Sequence, residues 1–167
     1  MSLYDAAVPA YLQILASLSG LLTKAEAHCT AKKIAPEVLL GSRLYPDMLP
    51  LSKQIQLASD FATRGCARLT QSEVPSTPDT EKTFEELRAR LARTIDYVKS
   101  FKPAQFEGAE TRDVTFPMGP EKTMTMKGQQ FLSNFSLPQF YFHAAIAHGL
   151  LRHNGVEIGK RDFMGAN

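Results

Sequence analysis

Apolar residues recur at helical spacing in four long stretches of the chain. These stretches cover residues 2–28, 50–69, 83–103 and 136–155. Residues three and four positions apart lie on one face of a helix, so each stretch has an apolar face to bury. Two of them open with a capping signal, Ser2 with Asp5 and Thr83 with Glu86. The pattern therefore predicts four long helices.

The fourth stretch, S-L-P-Q-F-Y-F-H-A-A-I-A-H-G-L-L-R-H-N-G, is the one around which the fold is expected to be organised. Its apolar residues spread around most of the helix circumference, which is typical of a buried central helix. Leu150 and Leu151 are expected in the core, with Ile55 and Leu91 on neighbouring helices. Three of the four histidines of the chain lie on this stretch.

The connecting segments carry the turn signals. A short helical turn is predicted from Pro36 to Gly41, a loop over 71–79, and a small hairpin over 114–126 around P-M-G-P. One more helical turn is expected over 128–134, and the tail after Gly155 is expected to be extended. The fold class is therefore all-α: an antiparallel four-helix bundle with a small β-hairpin or irregular insertion before the last helix, in one domain over 1–167.

The third helix carries charges outside its narrow apolar face. Glu85 with Arg88 and Glu86 with Arg90 have the spacing of ion pairs along a helix surface. This pattern predicts a solvated face.

Composition narrows the function classes. Hydrophobic residues are 44% and charged residues 22%, the net charge is +2, and there is no dense basic run. A nucleic-acid partner is therefore not expected. The apolar N-terminal stretch contains Asp5 and Lys24 and lacks the pattern of a signal peptide, so no membrane partner is expected. Cys29 and Cys66 are far apart, which favours reduced thiols in a cytoplasmic protein.

No common nucleotide-binding, metalloprotease, hydrolase or C-x-x-C motif is present. The remaining candidate pocket consists of His143, Gln139 one turn before it, and Gln54 and Asp47 near the start of the second helix. Facing helices of a bundle can place such groups at one depth. The structural alternative is that His143 is a hydrogen-bonded core histidine and that Gln139 completes a capping box with Ser136.

Two segments carry a family resemblance. Y-P-D-M-L-P-L-S-K-Q and L-P-Q-F-Y-F-H…L-L-R-H-N-G-V-E-I-G-K resemble an uncharacterised family of the DinB-like (DinB/YfiT-like) superfamily. The resemblance implies a four-helix bundle that is frequently dimeric. Characterised members of the superfamily include thiol-dependent transferases and isomerases that use a divalent metal. Three histidines hold that metal, one on the second helix and an H-x-x-x-H pair on the last.

The resemblance places Gln54, Gln139 and His143 at the three metal-ligand positions, anchored on the L-R-x-x-G helix end that starts at Leu151. One imidazole and two amides are a weak donor set for zinc or nickel. No cofactor and no tightly held metal are therefore expected.

Three hypotheses follow. The leading one is a metal-free or weakly metal-binding protein that binds a small molecule or dimerises. The alternative is a divergent zinc- or nickel-dependent enzyme, such as a thiol-linked transferase or isomerase, in which Asp47, Asp60 or His148 compensates for the missing histidines. The third is a purely structural interaction domain. A homodimer through the first or fourth helix is expected.

Overall fold

The computed structural model describes residues 2–165 and shows a mainly helical protein with one small two-stranded antiparallel sheet. The helices are α1 (Leu3–Lys32), α2 (Pro36–Leu40), α3 (Leu51–Thr70), α4 (Phe84–Ser100), α5 (Gly128–Phe131), α6 (Leu137–His153) and α7 (Lys160–Met164). The strands are β1 (Asp113–Pro117) and β2 (Thr123–Lys127). A 3₁₀ turn (Pro103–Phe106) follows α4, and a π-helical turn (Leu132–Ser136) joins α5 to α6.

Both predicted capping boxes are confirmed. The Ser2 hydroxyl accepts a hydrogen bond from the Asp5 backbone N–H at 3.2 Å, and the Thr83 hydroxyl accepts one from Glu86 at 3.1 Å. The Glu86 carboxylate in turn accepts from the backbone N–H groups of Lys82 and Thr83. These bonds satisfy donors that would otherwise be unpaired at a helix start, so they fix where α1 and α4 begin.

The core lies between the four long helices. Helix α3 packs against α4 and α6, and α1 packs against all three. Ile55, Leu91, Leu150 and Leu151 are each 0% exposed, which confirms the core residues expected from the pattern. The buried apolar side chains form one contiguous cluster.

Helix α6 is not buried on every side, so that expectation is wrong. Phe142 is 56% exposed and Tyr141 is 39% exposed. The long helices that pack against α6 are α3 and α1. Two long neighbours cannot cover the whole circumference of a helix, so composition alone did not predict which face stays open.

The predicted hairpin is confirmed. β1 pairs with β2 with Val114 opposite Met126 and Phe116 opposite Met124. Phe116 is buried and contacts Phe135 with ring centroids 4.5 Å apart, and the Arg68 guanidinium lies 5.2 Å from the Phe116 ring centroid. The hairpin thus covers apolar surface beside the start of α6.

The predicted helical turn over 128–134 is observed, and it continues through the π turn into α6. Pro138 has no N–H to offer the carbonyl of Asn134 four residues earlier. The π turn, which is wider than an α-helical turn, allows the helix to continue where this backbone hydrogen bond is missing.

The extended tail is wrong for residues 160–164, which form α7. Asp162 accepts from the Gly159 backbone N–H at 2.8 Å and pairs with Lys24 of α1. The Ser17 hydroxyl donates to the Asp162 carbonyl at 2.6 Å. A five-residue helix is marginal alone, so these contacts with α1 are what stabilise it.

The ion pairs predicted along α4 are also wrong. Arg88 pairs with Glu26 of α1 at 2.7 Å, and Arg90 is 1% exposed and pairs with Asp60 of α3 at 2.6 Å. Glu86 caps its own helix instead. Spacing along one helix does not reveal acidic groups on neighbouring helices.

Among residues 2–165, α1 is the one helix whose length and composition would allow it to cross a membrane. Half of its most apolar window, of mean hydropathy 1.4, is buried inside the protein. Core helices of soluble proteins and N-terminal signal sequences meet the same criterion.

Candidate functional site

His143 of α6 and Gln54 in the first turn of α3 are joined by a buried hydrogen bond. Nδ1 of His143 lies 2.8 Å from Oε1 of Gln54. The amide nitrogen of Gln54 donates to the Leu49 carbonyl at 3.1 Å, which turns Oε1 towards the histidine. An amide oxygen can only accept, so Nδ1 must carry the proton. A hydrogen bond from His143 to an acidic or amide side chain of the second long helix was expected, and the observed partner is the amide of Gln54.

This pairing leaves Nε2 of His143 as an unprotonated base. Within residues 2–165 it has no hydrogen-bond partner, although the residue is only 7% exposed. In the part of the chain that the structure describes, the enclosed side-chain polar atoms without a partner are Arg88 Nη1 and Arg90 Nε. His143 Nε2 is not among them, so it keeps contact with solvent. Burial lowers the pKa of His143, and the ring is therefore neutral at pH 7. The site offers one oriented hydrogen-bond acceptor.

Aromatic rings surround the imidazole. Phe61 stacks on it, with ring centroids 5.6 Å apart and planes 12° apart, and Phe142 meets it edge-on at 5.2 Å. Phe135 packs against Phe61 at 6.0 Å. Beside them lies an open groove of about 380 Å³ lined by Asn134, Phe135, Pro138, Gln139 and Phe142. The π turn and the first turn of α6 together shape this groove.

Gln139 lies on the groove wall, one turn before His143. The capping-box interpretation of Ser136 and Gln139 is wrong, because Ser136 has helical dihedral angles and makes no capping bond. Its hydroxyl instead lies 2.8 Å from the buried Tyr11 hydroxyl. The helix already runs through Ser136, so no N-terminal donors need a cap there.

The other predicted residues do not gather at the pocket. Asp47 is exposed in the loop before α3, and no residue of the described chain forms a hydrogen bond or ion pair with its carboxylate. Asp60 is engaged by two arginines. His148 lies near the tail, with Nε2 3.3 Å from the Gly159 carbonyl. The structure brings together Gln54 and His143, with Gln139 on the adjacent groove.

The donor arrangement does not fit the three-histidine metal site of the superfamily. A catalytic metal needs about three strong ligands that converge on one point. Gln54 directs its oxygen to Nδ1 of His143, away from the Nε2 lone pair. No group of three His, Cys, Asp or Glu side chains in residues 2–165 has a geometry that would hold an ion. Gln54 thus acts as the group that orients His143.

Sequence reasoning missed the aromatic residues of the site. Phe61 follows Gln54 by seven positions, two helical turns, so both side chains lie on the same face of α3. Phe142 is the immediate neighbour of His143. The seven-residue spacing was a usable signal for Phe61, whereas only the folded chain shows that Phe135 joins it.

The histidine predicts a pH dependence of stability. Its folded pKa lies below the unfolded value of about 6.5. The unfolded state therefore binds more protons as the pH falls, and the stability associated with neutral His143 is present above about pH 6.5 and lost below it. We expect His143→Gln to reduce the drop in urea midpoint between pH 7.5 and pH 5. The matched variant of the exposed His153, His153→Gln, should retain the wild-type drop, and equal behaviour of the two variants would refute this assignment.

Comparisons with known proteins agree with the geometry of the fold. A crystal structure of a DinB family member from Shewanella denitrificans is 40% identical in sequence, with a TM-score of 0.92 over 99% of this chain and 93% of that one. No curated protein matches the chain. Residues 3–164 match the model of a domain of unknown function, DUF1993. The chain therefore belongs to the DUF1993 family, a DinB-like family of unknown function.

Proposed function

We propose that the protein is a metal-independent small-molecule-binding member of the DinB-like group, and that its site is the aromatic groove at His143. The carrying observation is the bond from Nδ1 to Gln54, which holds Nε2 as a free acceptor beside an open groove. We further infer that the four long helices form an antiparallel bundle, in one domain over 1–167. The proposal also includes a cytoplasmic location and no nucleic-acid or membrane partner. The location is supported by the two cysteines, which are both free and buried, as is usual in a reducing compartment.

The surroundings of Nε2 define the ligand class. The rings of Phe135 and Phe142 line the groove, and Phe61 stacks on the imidazole beside it, which favours a flat apolar group. The one oriented polar atom is an acceptor, so the ligand must donate. A charged group would lose hydration among these rings. The proposed ligand is a small neutral aromatic molecule with one O–H or N–H group.

Phenol and its methyl ether anisole test this proposal, because they differ chiefly in the O–H donor. In ¹H–¹⁵N NMR titrations we expect phenol to shift the amide signals of residues 134–143 in a saturable way and anisole to bind about tenfold more weakly, the effect of one hydrogen bond to a buried acceptor. His143→Phe should remove the difference between the two probes, whereas the exposed control His153→Phe should keep it. Equal affinity of the wild type for both probes would refute the role of Nε2.

Metal independence is tested by calorimetric titration with zinc and nickel. One imidazole with amide oxygens as its neighbours is a weak donor set, so we expect no submicromolar binding. Submicromolar binding that disappears in His143→Ala would support the alternative, a zinc- or nickel-dependent thiol-linked enzyme.

A homodimer is the second part of the proposal, supported by the open apolar face of α6. Tyr141 is 39% exposed, Ala145 is exposed one turn later, and Ala16 is exposed on the neighbouring α1. In a two-fold dimer such a face meets its own copy. We expect light scattering to give twice the chain mass at micromolar concentration and Tyr141→Lys to give the monomer. Tyr45→Lys, at a 66% exposed tyrosine elsewhere, is the matched control, and a wild-type monomer would exclude the dimer.

A further inference from the structure

A second cavity lies between α3 and α4, away from the His143–Gln54 pair. Its volume is about 390 Å³, and the loop that joins the two helices covers it. Four side chains of α4 line it: Arg90, Arg93, Thr94 and Tyr97. Arg93, Thr94 and Tyr97 follow Arg90 by three, four and seven positions, so all four side chains share one face of the helix. Thr63 of α3 completes the wall.

The innermost wall residue, Arg90, has an unmet hydrogen-bond donor. Its Nη2 donates to Asp60 at 2.6 Å, and its Nη1 lies 3.0 Å from Asp79 and 3.1 Å from Glu81. Its Nε has no partner within residues 2–165 and is enclosed. Leaving a donor of a charged group unpaired in the interior is unfavourable. This N–H thus favours any acceptor that reaches it.

Arg93 adds a nearly free positive charge at the rim of the cavity. Its side chain is 63% exposed, and its nearest carboxylate oxygen, on Glu81, is 3.8 Å away. Four basic side chains stand against three acidic ones in this cluster: Lys53, Arg64, Arg90 and Arg93 against Asp60, Asp79 and Glu81. The surplus charge is positive, which favours an anionic group.

Three hydroxyl groups on the helix side of the wall are left as acceptors. The hydroxyls of Thr63 and Thr94 each donate to the carbonyl four residues earlier at 3.0 Å, and the Tyr97 hydroxyl donates to the Glu73 carbonyl at 2.9 Å. The proton of each hydroxyl is already engaged in a hydrogen bond, so the hydroxyl oxygen can only accept a further one. These oxygens suit a ligand that brings hydroxyl donors of its own.

The loop segment 73–79 that covers the cavity is held to the helices at its two ends but not in its middle. Glu73 is held by Tyr97, while Pro78 and Asp79 are held by Arg90. In the described chain, residues 74–77 make no hydrogen bond to the helices and are exposed. Displacement of this middle portion by a ligand would therefore break no hydrogen bond between the loop and the helices.

We propose that this cavity is a second binding site, for a small molecule that carries a carboxylate and neighbouring hydroxyl groups. The carboxylate bridges Nε of Arg90 and the guanidinium of Arg93. The hydroxyl groups donate to the oxygens of Thr63 and Thr94. The site is independent of the His143 groove and of the function proposed for that groove.

D-Gluconate is the probe, with sorbitol as the analogue without a carboxylate and acetate as the analogue without hydroxyls. In ¹H–¹⁵N titrations of the full chain, gluconate should cause saturable shifts at Ser76, Thr77 and Thr94. Arg93→Gln should weaken gluconate about tenfold, since a hydrogen bond to a charged group is lost. Thr94→Val should weaken gluconate but not acetate. Arg93 is exposed and Thr94→Val keeps the side-chain shape, so both variants should fold.

Arg152→Gln is the matched control, because Arg152 is exposed at the end of α6. It should bind gluconate as the wild type does. Absence of saturable gluconate shifts in the wild type would overturn the proposal. So would equal binding of gluconate, sorbitol and acetate, or an Arg93→Gln variant with unchanged affinity. Shifts confined to residues 134–143 would assign gluconate to the other groove and overturn it as well.

Discussion

Replacement of Arg90 by alanine is expected to lower the free energy of unfolding by about 3–5 kcal/mol, the cost of breaking a buried ion pair by removing one partner. Arg90 is 1% exposed and stands between carboxylates of α3 and the α3–α4 loop. Glu81 is 6% exposed and Asp60 13% exposed, so neither carboxylate can recover full hydration when the guanidinium is gone.

The lowered pKa of Asp79 also indicates that these ion pairs stabilise the fold. Burial by itself would raise the pKa of Asp79, but the ammonium of Lys53 and the guanidinium of Arg90 together hold it below its ordinary value. A lowered carboxyl pKa means stability that is present above the unfolded pKa of about 3.9 and lost as the pH falls through the folded value. The part of the Arg90→Ala deficit that comes from Asp79 should therefore be present near neutral pH and shrink as the Asp79 carboxyl becomes protonated.

Urea denaturation at pH 7 measures this effect. Arg93→Ala is the matched control, because Arg93 lies on the same helix and is 63% exposed. It should change the free energy of unfolding by about 0.5 kcal/mol or less, as is usual for exposed positions. A loss below about 1 kcal/mol in Arg90→Ala would show that the pair contributes no more than a surface ion pair.

Leu151→Ala is expected to lower the free energy of unfolding by about 2–5 kcal/mol. Leu151 is 0% exposed and belongs to the contiguous core cluster between the long helices. The substitution removes apolar surface and leaves a void that the neighbouring helices fill only in part. The spread in the expected value reflects how far those helices can relax into it.

Leu44→Ala is the matched control: it is the same substitution at an exposed position, because Leu44 is 47% exposed in the loop before α3. The same methyl groups are removed, but no cavity forms, so the urea midpoint should change little. An unchanged midpoint in Leu151→Ala would mean that α6 does not hold the core together. Equal losses in both variants would have the same meaning.

Periodicity and local capping were sufficient to predict the long helices and the hairpin. The capping boxes at Ser2 and Thr83 and the core positions Leu150 and Leu151 all follow from residues close together in sequence. Local signals of this kind work because helix ends and amphipathic faces depend on neighbours within one or two turns. The proximity of His143 and Gln54 was expected as well, because facing helices of a bundle place side chains at one depth and the family resemblance put both residues at metal-ligand positions.

The tertiary structure decided which distant groups meet. Arg90 looked like a surface residue of α4, and its partners lie on α3 and in the loop. The tail at 160–164 is helical because α1 supplies partners for Asp162. Phe135 reaches the His143 site because a π turn carries it there.

The sequence by itself thus determined where the long helices lie, how α1 and α4 begin, and that Ile55, Leu91, Leu150 and Leu151 enter the core. Only the tertiary structure decided that Gln54 orients His143, that Nε2 remains free, and that Arg90 is enclosed with an unmet donor. The physical reason is the separation in sequence between the groups that interact. Helix periodicity and capping are satisfied within about four residues, whereas the protonated nitrogen of a histidine and the environment of a buried arginine depend on atoms contributed by other helices.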